Sequence, residues 1–164
     1  PRIFFRVGEA RSYLSEDGSL SERFLVIFDD GLKVLEPGEP ISDPGGVFYV
    51  QGVYDDSLDK FVDFKYNSVI CDVAVLVGGE ALFLRKGDNV YLREFVGKTL
   101  VSLVELGESV KEDSRLVMIF TGKREVRYGL SEVSGRIFYY AQTSYKPQRY
   151  VFVISPYVEV KYVG

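Results

Sequence analysis

Histidine and tryptophan are absent from the 164 residues of this chain, and cysteine and methionine occur once each. The missing imidazole excludes Ser-His and Cys-His nucleophilic catalysis and HExxH zinc sites. It also argues against a structural zinc site and a metal cofactor, because such sites use several cysteines and histidines. The single cysteine, Cys71, excludes an internal disulfide, so we expect a reducing compartment. Its surroundings, SVICDVAVLV, indicate a strand and therefore a buried, inert thiol.

Long apolar runs are missing as well. No run approaches the ~18 residues that a membrane span needs, and PRIFFRVGEA lacks the apolar core of a secretory signal peptide. We therefore expect a cytoplasmic protein with no membrane partner. Asn, Gln, Cys and Met together number only seven (2, 3, 1 and 1). A scarcity of these thermolabile side chains is typical of thermophilic proteins.

Short apolar segments that are separated by turn residues dominate what is present. RFLVIF and GLKVL flank Asp30-Gly31, which is the strongest short signal for a hairpin. Many such segments with turns every 8 to 12 residues are typical of a sandwich or barrel, so we predict an all-β fold. The only helix that the sequence suggests lies around Ser12 to Arg23. Glu36 to Gly46 holds three prolines and three glycines and is predicted to be an ordered loop.

Charge divides the chain into two parts. Residues 1–85 hold 8 Lys+Arg against 15 Asp+Glu, a net charge of −7, whereas residues 86–164 hold 12 against 9, a net charge of +3. Such asymmetry is consistent with two subdomains that face each other or different partners. We predict a β-rich N-terminal subdomain over residues 1–85 and a second subdomain, which includes the C-terminal strands, over residues 86–164.

Residues ~90–140 resemble a biotinyl/lipoyl-attachment domain. VGKTLVSLVELGESV resembles the first strand of that family and its Gly-acid-x-Val turn, here Gly107 to Val110. KEDSRLVMI resembles the next strand, and FTGKREV resembles the lysine hairpin, which puts Lys123 on the attachment position. LSEVSGRIFYY resembles the strand entry that follows, with Gly135 on the family's glycine. The chain is also similar to an uncharacterised archaeal family with such a barrel at its C-terminus.

The resemblance implies a flattened barrel, the barrel-sandwich hybrid, made of two pseudo-symmetric halves. VGKTLVS and SGRIFYY share a Gly-basic-x-apolar pattern and would begin corresponding segments of the two halves. The fold prediction is therefore an all-β chain with a lipoyl/biotinyl-like barrel in its C-terminal part.

Lys123 is the candidate attachment position for a cofactor. Gly122 precedes it and Arg124 follows it, whereas biotin acceptors usually place Met on both sides and lipoyl acceptors place Asp before the lysine. The chain also has no Ala/Pro-rich linker of the kind that swinging-arm domains use. We therefore predict that the protein carries no biotin or lipoate, and we interpret Gly122 as the residue that permits a tight, solvated turn. A carrier modified at Lys123 remains the alternative.

Two further clusters are interpreted as structural. Carboxylates at four positions could supply oxygen ligands to Mg²⁺ or Ca²⁺, but their spacing matches no EF-hand loop and Lys60 and Lys65 lie among them; they are Asp55, Asp56, Asp59 and Asp63. Six of the 12 tyrosines fall in the last 26 residues, between arginines and lysines. Such a pattern can stack on single-stranded nucleic acid, but an isoelectric point near 5.0 argues against a nucleic-acid partner.

The leading functional hypothesis is a non-catalytic binding or assembly protein that forms a homo-oligomer and has an unknown protein partner. RYVFVIS and GRIFYYA carry apolar residues on both strand faces, so one face of each needs a cover. We expect a second chain to supply it, and the N-terminal part is the alternative cover. The other functional hypotheses are a biotin or lipoate carrier and an enzyme that uses carboxylates between the two parts.

Overall fold

The computed structural model of the chain describes residues 1–29, 31–41 and 45–164. These residues form an all-β protein, which confirms the predicted class. The strands are β1 (Arg2–Arg6), β2 (Phe24–Phe28), β3 (Gly31–Leu35), β4 (Val47–Gly52), β5 (Val62–Asp63), β6 (Ser68–Val69), β7 (Val73–Val77), β8 (Glu80–Leu84), β9 (Tyr91–Gly97), β10 (Thr99–Ser102), β11 (Ser109–Val110), β12 (Arg115–Phe120), β13 (Val126–Leu130), β14 (Gly135–Tyr145), β15 (Gln148–Ser155) and β16 (Glu159–Tyr162).

Helical structure is confined to short turns in the described residues. Two are 3-10 turns, at Ala10–Tyr13 and Tyr54–Asp56, and one is an α-helical turn, α1 (Leu58–Phe61). None of these segments has the length and apolar character that crossing a membrane requires.

The helix expected around Ser12 to Arg23 is wrong. The 3-10 turn ends at Tyr13, and Leu14 then pairs with Leu20 across a tight turn. The carboxylate of Asp17 accepts hydrogen bonds from the backbone N–H and the hydroxyl of Ser19, and Gly18 adopts a φ of +82°. These local bonds compete with helical ones, and a left-handed glycine ends a helix.

The hairpin predicted around Asp30-Gly31 is present as the antiparallel pair of β2 and β3, although Asp30 itself lies outside the described residues. Part of the loop predicted from Glu36 to Gly46 is also outside them, at residues 42–44. Within the described part of that loop, Pro40 forms an isolated bridge with Ser19.

The chain folds into two compact units. The first comprises Pro1–Phe61, Ile70–Lys86 and Glu159–Gly164, and the second comprises Val62–Val69 and Gly87–Val158. The change of unit after residue 86 falls beside the division predicted between residues 85 and 86. Two segments belong to the other unit than their sequence position suggested. Strand β16 joins the first unit because it pairs with β8, and the β5–β6 hairpin joins the second because backbone hydrogen bonds link it to Asp88 and Val90.

One antiparallel sheet of seven strands forms most of the first unit, in the order β16-β8-β7-β1-β4-β2-β3. The two edge strands of this order, β16 and β3, contact each other, so the sheet curls towards closure. Its concave face carries Phe4, Ala74 and Phe83, which the strand register places opposite one another. Phe24 and Phe48 lie on the other face and are covered by Leu20 and Ala10 from the 3-10 turn and the segment after it.

Besides the β5–β6 hairpin, the second unit holds two larger sheets, one of three strands (β10-β12-β13) and one of four (β11-β14-β15-β9). The core lies between them, because Leu100, Leu116 and Val117 from the first sheet pack with Ile137 and Phe152 from the second. Each sheet thus contributes one apolar face to a shared interior, as in a sandwich.

A second chain was expected to cover one face of the segments RYVFVIS and GRIFYYA, but these segments need no such cover. Phe138, Tyr139 and Val153 are buried, and so are Ile137 and Phe152 on the opposite faces of the same strands. Both faces of these stretches of β14 and β15 are therefore covered within a single chain, and the expected position of the contact is wrong. Homo-oligomerisation itself stays a prediction.

Candidate functional site

Lys123 lies in an exposed turn that joins the antiparallel strands β12 and β13. The Thr121 N–H donates to the carbonyl of Glu125 at 3.1 Å and closes the turn. The Lys123 N–H donates to the hydroxyl of Thr121 at 3.4 Å. Among the described residues the Lys123 ammonium has no ion-pair partner, so a solvent-borne reagent can reach it.

The backbone of this turn differs from the expectation in one respect. Arg124, not Gly122, adopts the left-handed conformation, with a φ of +60°. A Cβ atom at Gly122 would meet only the Lys98 side chain, at 3.9 Å. Gly122 is therefore not required by this turn for its space or for a positive φ, and the interpretation of Gly122 as the permissive residue is wrong.

The hairpin carries a positive charge at its tip. Lys123 and Arg124 are both exposed, and Lys98 lies beside Gly122. Arg127 is paired with Glu125 at 3.4 Å, so this cation is partly compensated. The Lys123 side chain is exposed and makes no ion pair with a described residue, so its chemistry is that of an exposed amine.

The outward side of the three-stranded sheet next to this turn is apolar. Val101, Met118 and Tyr128 lie opposite one another in the register, and so do Thr99, Phe120 and Val126. We call the following residues the apolar face, since they share this side of the sheet: Val101, Met118, Phe120, Val126, Tyr128 and Leu130. Val126 is 46% exposed and Tyr128 is 41% exposed.

The apolar face departs from the usual alternation of a sheet with one solvated side. The inward residues Leu100, Val117 and Ile119 pack in or against the core, so the outward ones should be polar if water covered them. Arg115 stacks over the Tyr128 ring at 4.0 Å and shields part of it. Contiguous exposed apolar residues of this kind mark contact sites.

The sequence contains a signal for this face. LVMIF has apolar residues on both faces of its strand. VRYGL is apolar at alternate positions, and the register places these beside Met118 and Phe120. RYVFVIS and GRIFYYA show the same pattern, yet apolar residues on both faces of these segments are buried.

Cys71 lies in the bend between β6 and β7, so the expectation of a buried thiol within a strand is wrong. The thiol is half-buried and donates to the carbonyl of Lys60 at 3.9 Å. Burial raises the pKa of Cys71, and the charge of Asp72 raises it further. The thiolate, which is the reactive form, is therefore disfavoured.

The acidic cluster does not assemble a metal site. Asp55 and Asp56 lie on a 3-10 turn and Asp59 lies on α1. The carboxylate of Asp63 accepts from the backbone N–H of Lys65 at 2.9 Å. In the described ranges, no three Cys, Asp or Glu side chains come together in a group that could hold a metal ion.

The C-terminal tyrosines do not share one role. Tyr139 is fully buried and Tyr140 stacks on Phe152 at 5.2 Å between ring centroids. Tyr145 and Tyr162 are exposed. At least two of the six tyrosines therefore serve packing rather than the recognition of a ligand.

Comparison with known proteins places the chain among archaeal proteins. "Uncharacterized protein MJ0859" of Methanocaldococcus jannaschii is 25% identical over 156 residues, which cover 93% of this chain and 94% of that protein. A family model described as an uncharacterized protein conserved in archaea matches residues 14–157. The similarity to an uncharacterised archaeal family is therefore confirmed, and the chain belongs to that family, DUF2118.

Proposed function

We propose that this protein is a non-catalytic assembly protein whose second unit is a lipoyl-like barrel and whose apolar face binds a second copy of the same chain. The observation that carries the proposal is the apolar face itself. Covering it removes Val126, Phe120 and Tyr128 from water, and each Å² of apolar surface buried contributes about 25 cal/mol.

Three features of the second unit support the lipoyl-like barrel. Two sheets enclose one core, and the lysine hairpin joins two antiparallel strands, β12 and β13, as the sequence resemblance to the attachment domain implies. Gly97 and Gly135, which begin the two similar segments, both lie where a side chain would not fit. A Cβ at Gly97 would come within 2.6 Å of Ile119, and one at Gly135 within 2.8 Å of the Ser155 backbone.

A second copy is the occupant that the charges around the apolar face favour. Lys123 and Arg124 precede β13 in the sequence, and the acidic Glu125 and Glu132, which pair with Arg127 and Arg93, flank the same strand. In a two-fold dimer the same surface of both chains forms the interface. A border that carries cations and carboxylates can therefore place the cations of one chain beside the carboxylates of the other. A sheet can cover another sheet face to face at about 10 Å, which excludes water from both apolar faces.

Sedimentation velocity at micromolar concentrations tests the assembly. We expect a dimer for the wild-type chain and at least a ~10-fold weaker dimer for Val126→Asp, because the new carboxylate would be buried without a partner. Val96→Asp is the matched control, since Val96 is 42% exposed on the other sheet of the same unit. A wild-type monomer at all concentrations, or equal effects of the two substitutions, would contradict the proposal.

A covalent carrier is the second candidate, and the exposed Lys123 amine at the hairpin tip is the observation that favours it. We nevertheless expect no biotinyl or lipoyl group, because the residues on either side of Lys123 differ from those of known acceptors. The measurement is the intact mass of the protein purified from its native host. A mass excess of one such group that disappears in Lys123→Arg but persists in Lys98→Arg would establish the carrier instead.

A further inference from the structure

A cavity of about 250 Å³ lies at one end of the curled seven-stranded sheet of the first unit. Residues at the ends of β1, β2 and β8, at the starts of β4 and β16 and just before β7 line it. The register places them on the concave face, since Arg6 lies opposite Tyr49, and Phe83 lies opposite Glu159. The mouth of a curled or closed sheet is a common position for small-molecule sites.

The base of the cavity is apolar. Phe83 and Tyr49 are buried and meet edge to face, with their ring centroids 5.7 Å apart. Val47 and Ile27 complete the apolar lining. This surface suits a flat or aliphatic group, and the volume lies just below the ~300–1,000 Å³ typical of sites for drug-sized ligands.

Two ion pairs hold most of the charge at the rim. Arg6 binds the carboxylate of Asp72 at 3.0 Å, and the backbone N–H of Lys86 donates to the same carboxylate at 2.8 Å. Burial opposes the charge of Asp72, but these hydrogen bonds and the nearby arginines outweigh it and lower the pKa of Asp72. Arg85 pairs with Glu159 at 3.4 Å. Both carboxylates are therefore neutralised by the chain itself.

Two donors in the cavity have no such partner. The Lys161 ammonium lies 5.5 Å from the centre of the Phe83 ring, and no carboxylate of the described residues pairs with it. The Tyr49 hydroxyl makes no hydrogen bond to any described residue. Since every fully buried side-chain polar atom among these residues has a hydrogen-bond partner, the Tyr49 hydroxyl is not fully buried. The hydroxyl therefore opens to the cavity. Burial raises the pKa of Tyr49, and the charge of Asp72 adds to this, so the hydroxyl keeps its proton.

We propose that this cavity binds a small organic monocarboxylate. Its carboxylate accepts from the Lys161 ammonium and the Tyr49 hydroxyl, and its apolar part lies against Phe83 and Val47. One unpaired cation matches one negative charge. A dianion such as a phosphate monoester would keep one charge uncompensated, because Asp72 and Glu159 already pair with Arg6 and Arg85.

Titration of the full chain with benzoate, followed by heteronuclear NMR, tests the site. We expect saturable shifts confined to the cavity residues, among them Tyr49, Phe83 and Lys161. Benzamide has the same shape without the charge, and phenyl phosphate has the ring with a dianion. Both should bind at least ~10-fold more weakly than benzoate. Equal binding of benzamide, tighter binding of phenyl phosphate, or no saturable shift with benzoate would overturn the proposal.

Variants locate the binding to named groups. Lys161→Gln should weaken benzoate at least ~10-fold, and Tyr49→Phe should weaken it several-fold, since each removes one donor. Lys33→Gln is the matched control, because Lys33 is an exposed lysine on another strand of the same sheet. The spectra of the free variants report whether each one folds. Unchanged affinity in a folded Lys161→Gln variant would place benzoate elsewhere and overturn the assignment.

Discussion

Replacing Phe152 by alanine is expected to lower the free energy of unfolding by about 3–5 kcal/mol, which is typical of a phenylalanine removed from a core. Phe152 is fully buried between the two sheets of the second unit. Its ring stacks on Tyr140 at 5.2 Å and meets the edge of Phe95 at 5.9 Å. Alanine would leave a cavity among rings that cannot collapse into it. Equilibrium unfolding in guanidinium chloride measures the loss.

Phe64→Ala is the matched control for Phe152→Ala. Phe64 lies in the same unit and is 53% exposed, so truncating it removes little buried surface. We expect a change within about 0.5 kcal/mol, as for most surface positions. If the two variants unfold at the same denaturant concentration, the core is not organised around Phe152 as described.

The strands could be predicted from the sequence because their signal is local. Apolar residues at alternate positions and turn residues between them indicate strands without any knowledge of the tertiary fold. The segment 12–23 failed for a local reason as well. The hydrogen bonds from Ser19 to the Asp17 carboxylate and the left-handed Gly18 produce a tight turn there instead of a helix.

Strand partners could not be predicted in the same way. β16 lies at the end of the sequence, yet it pairs with β8, 75 or more residues earlier, and so joins the first unit. Which strand face is covered is likewise a tertiary property. Val153 and Ile154 point to opposite sides of β15, and both are buried, whereas Val126 and Tyr128 remain exposed.

The two candidate sites also differ in whether their residues are close in the sequence. The Lys123 turn was predictable because a hairpin is contiguous in sequence. The cavity in the first unit was not, since Tyr49 and Lys161 come from strands more than 100 residues apart. The only local trace is a charged residue at the ends of several strands, as in Arg6, Asp72 and Glu159, and such residues usually have no role beyond solvation.

Gly135, the glycine of the segment SGRIFYY, provides a further test of the packing in the second unit. We expect Gly135→Ala to destabilise the protein by about 1–3 kcal/mol, the usual cost of inserting a methyl group where there is no room. A Cβ at this position would come within 2.8 Å of the carbonyl carbon of Ser155 and 2.9 Å of its oxygen. These atoms are backbone, and Arg136 pairs with Ser155 in the register of β14 and β15, so relief of the clash requires the strands to separate locally.

Gly122→Ala separates this steric cost from the general effect of replacing glycine. Neither glycine has a positive φ, so alanine can adopt both backbone conformations and restricts the unfolded chain equally. At Gly122 the nearest atom, in the Lys98 side chain, is 3.9 Å away, which is an ordinary contact. We therefore expect Gly122→Ala to be neutral or slightly stabilising in the same denaturation experiment. Equal midpoints for the two variants would mean that β14 and β15 do not approach each other at Gly135 as closely as described, and would remove one of the supports for the lipoyl-like barrel.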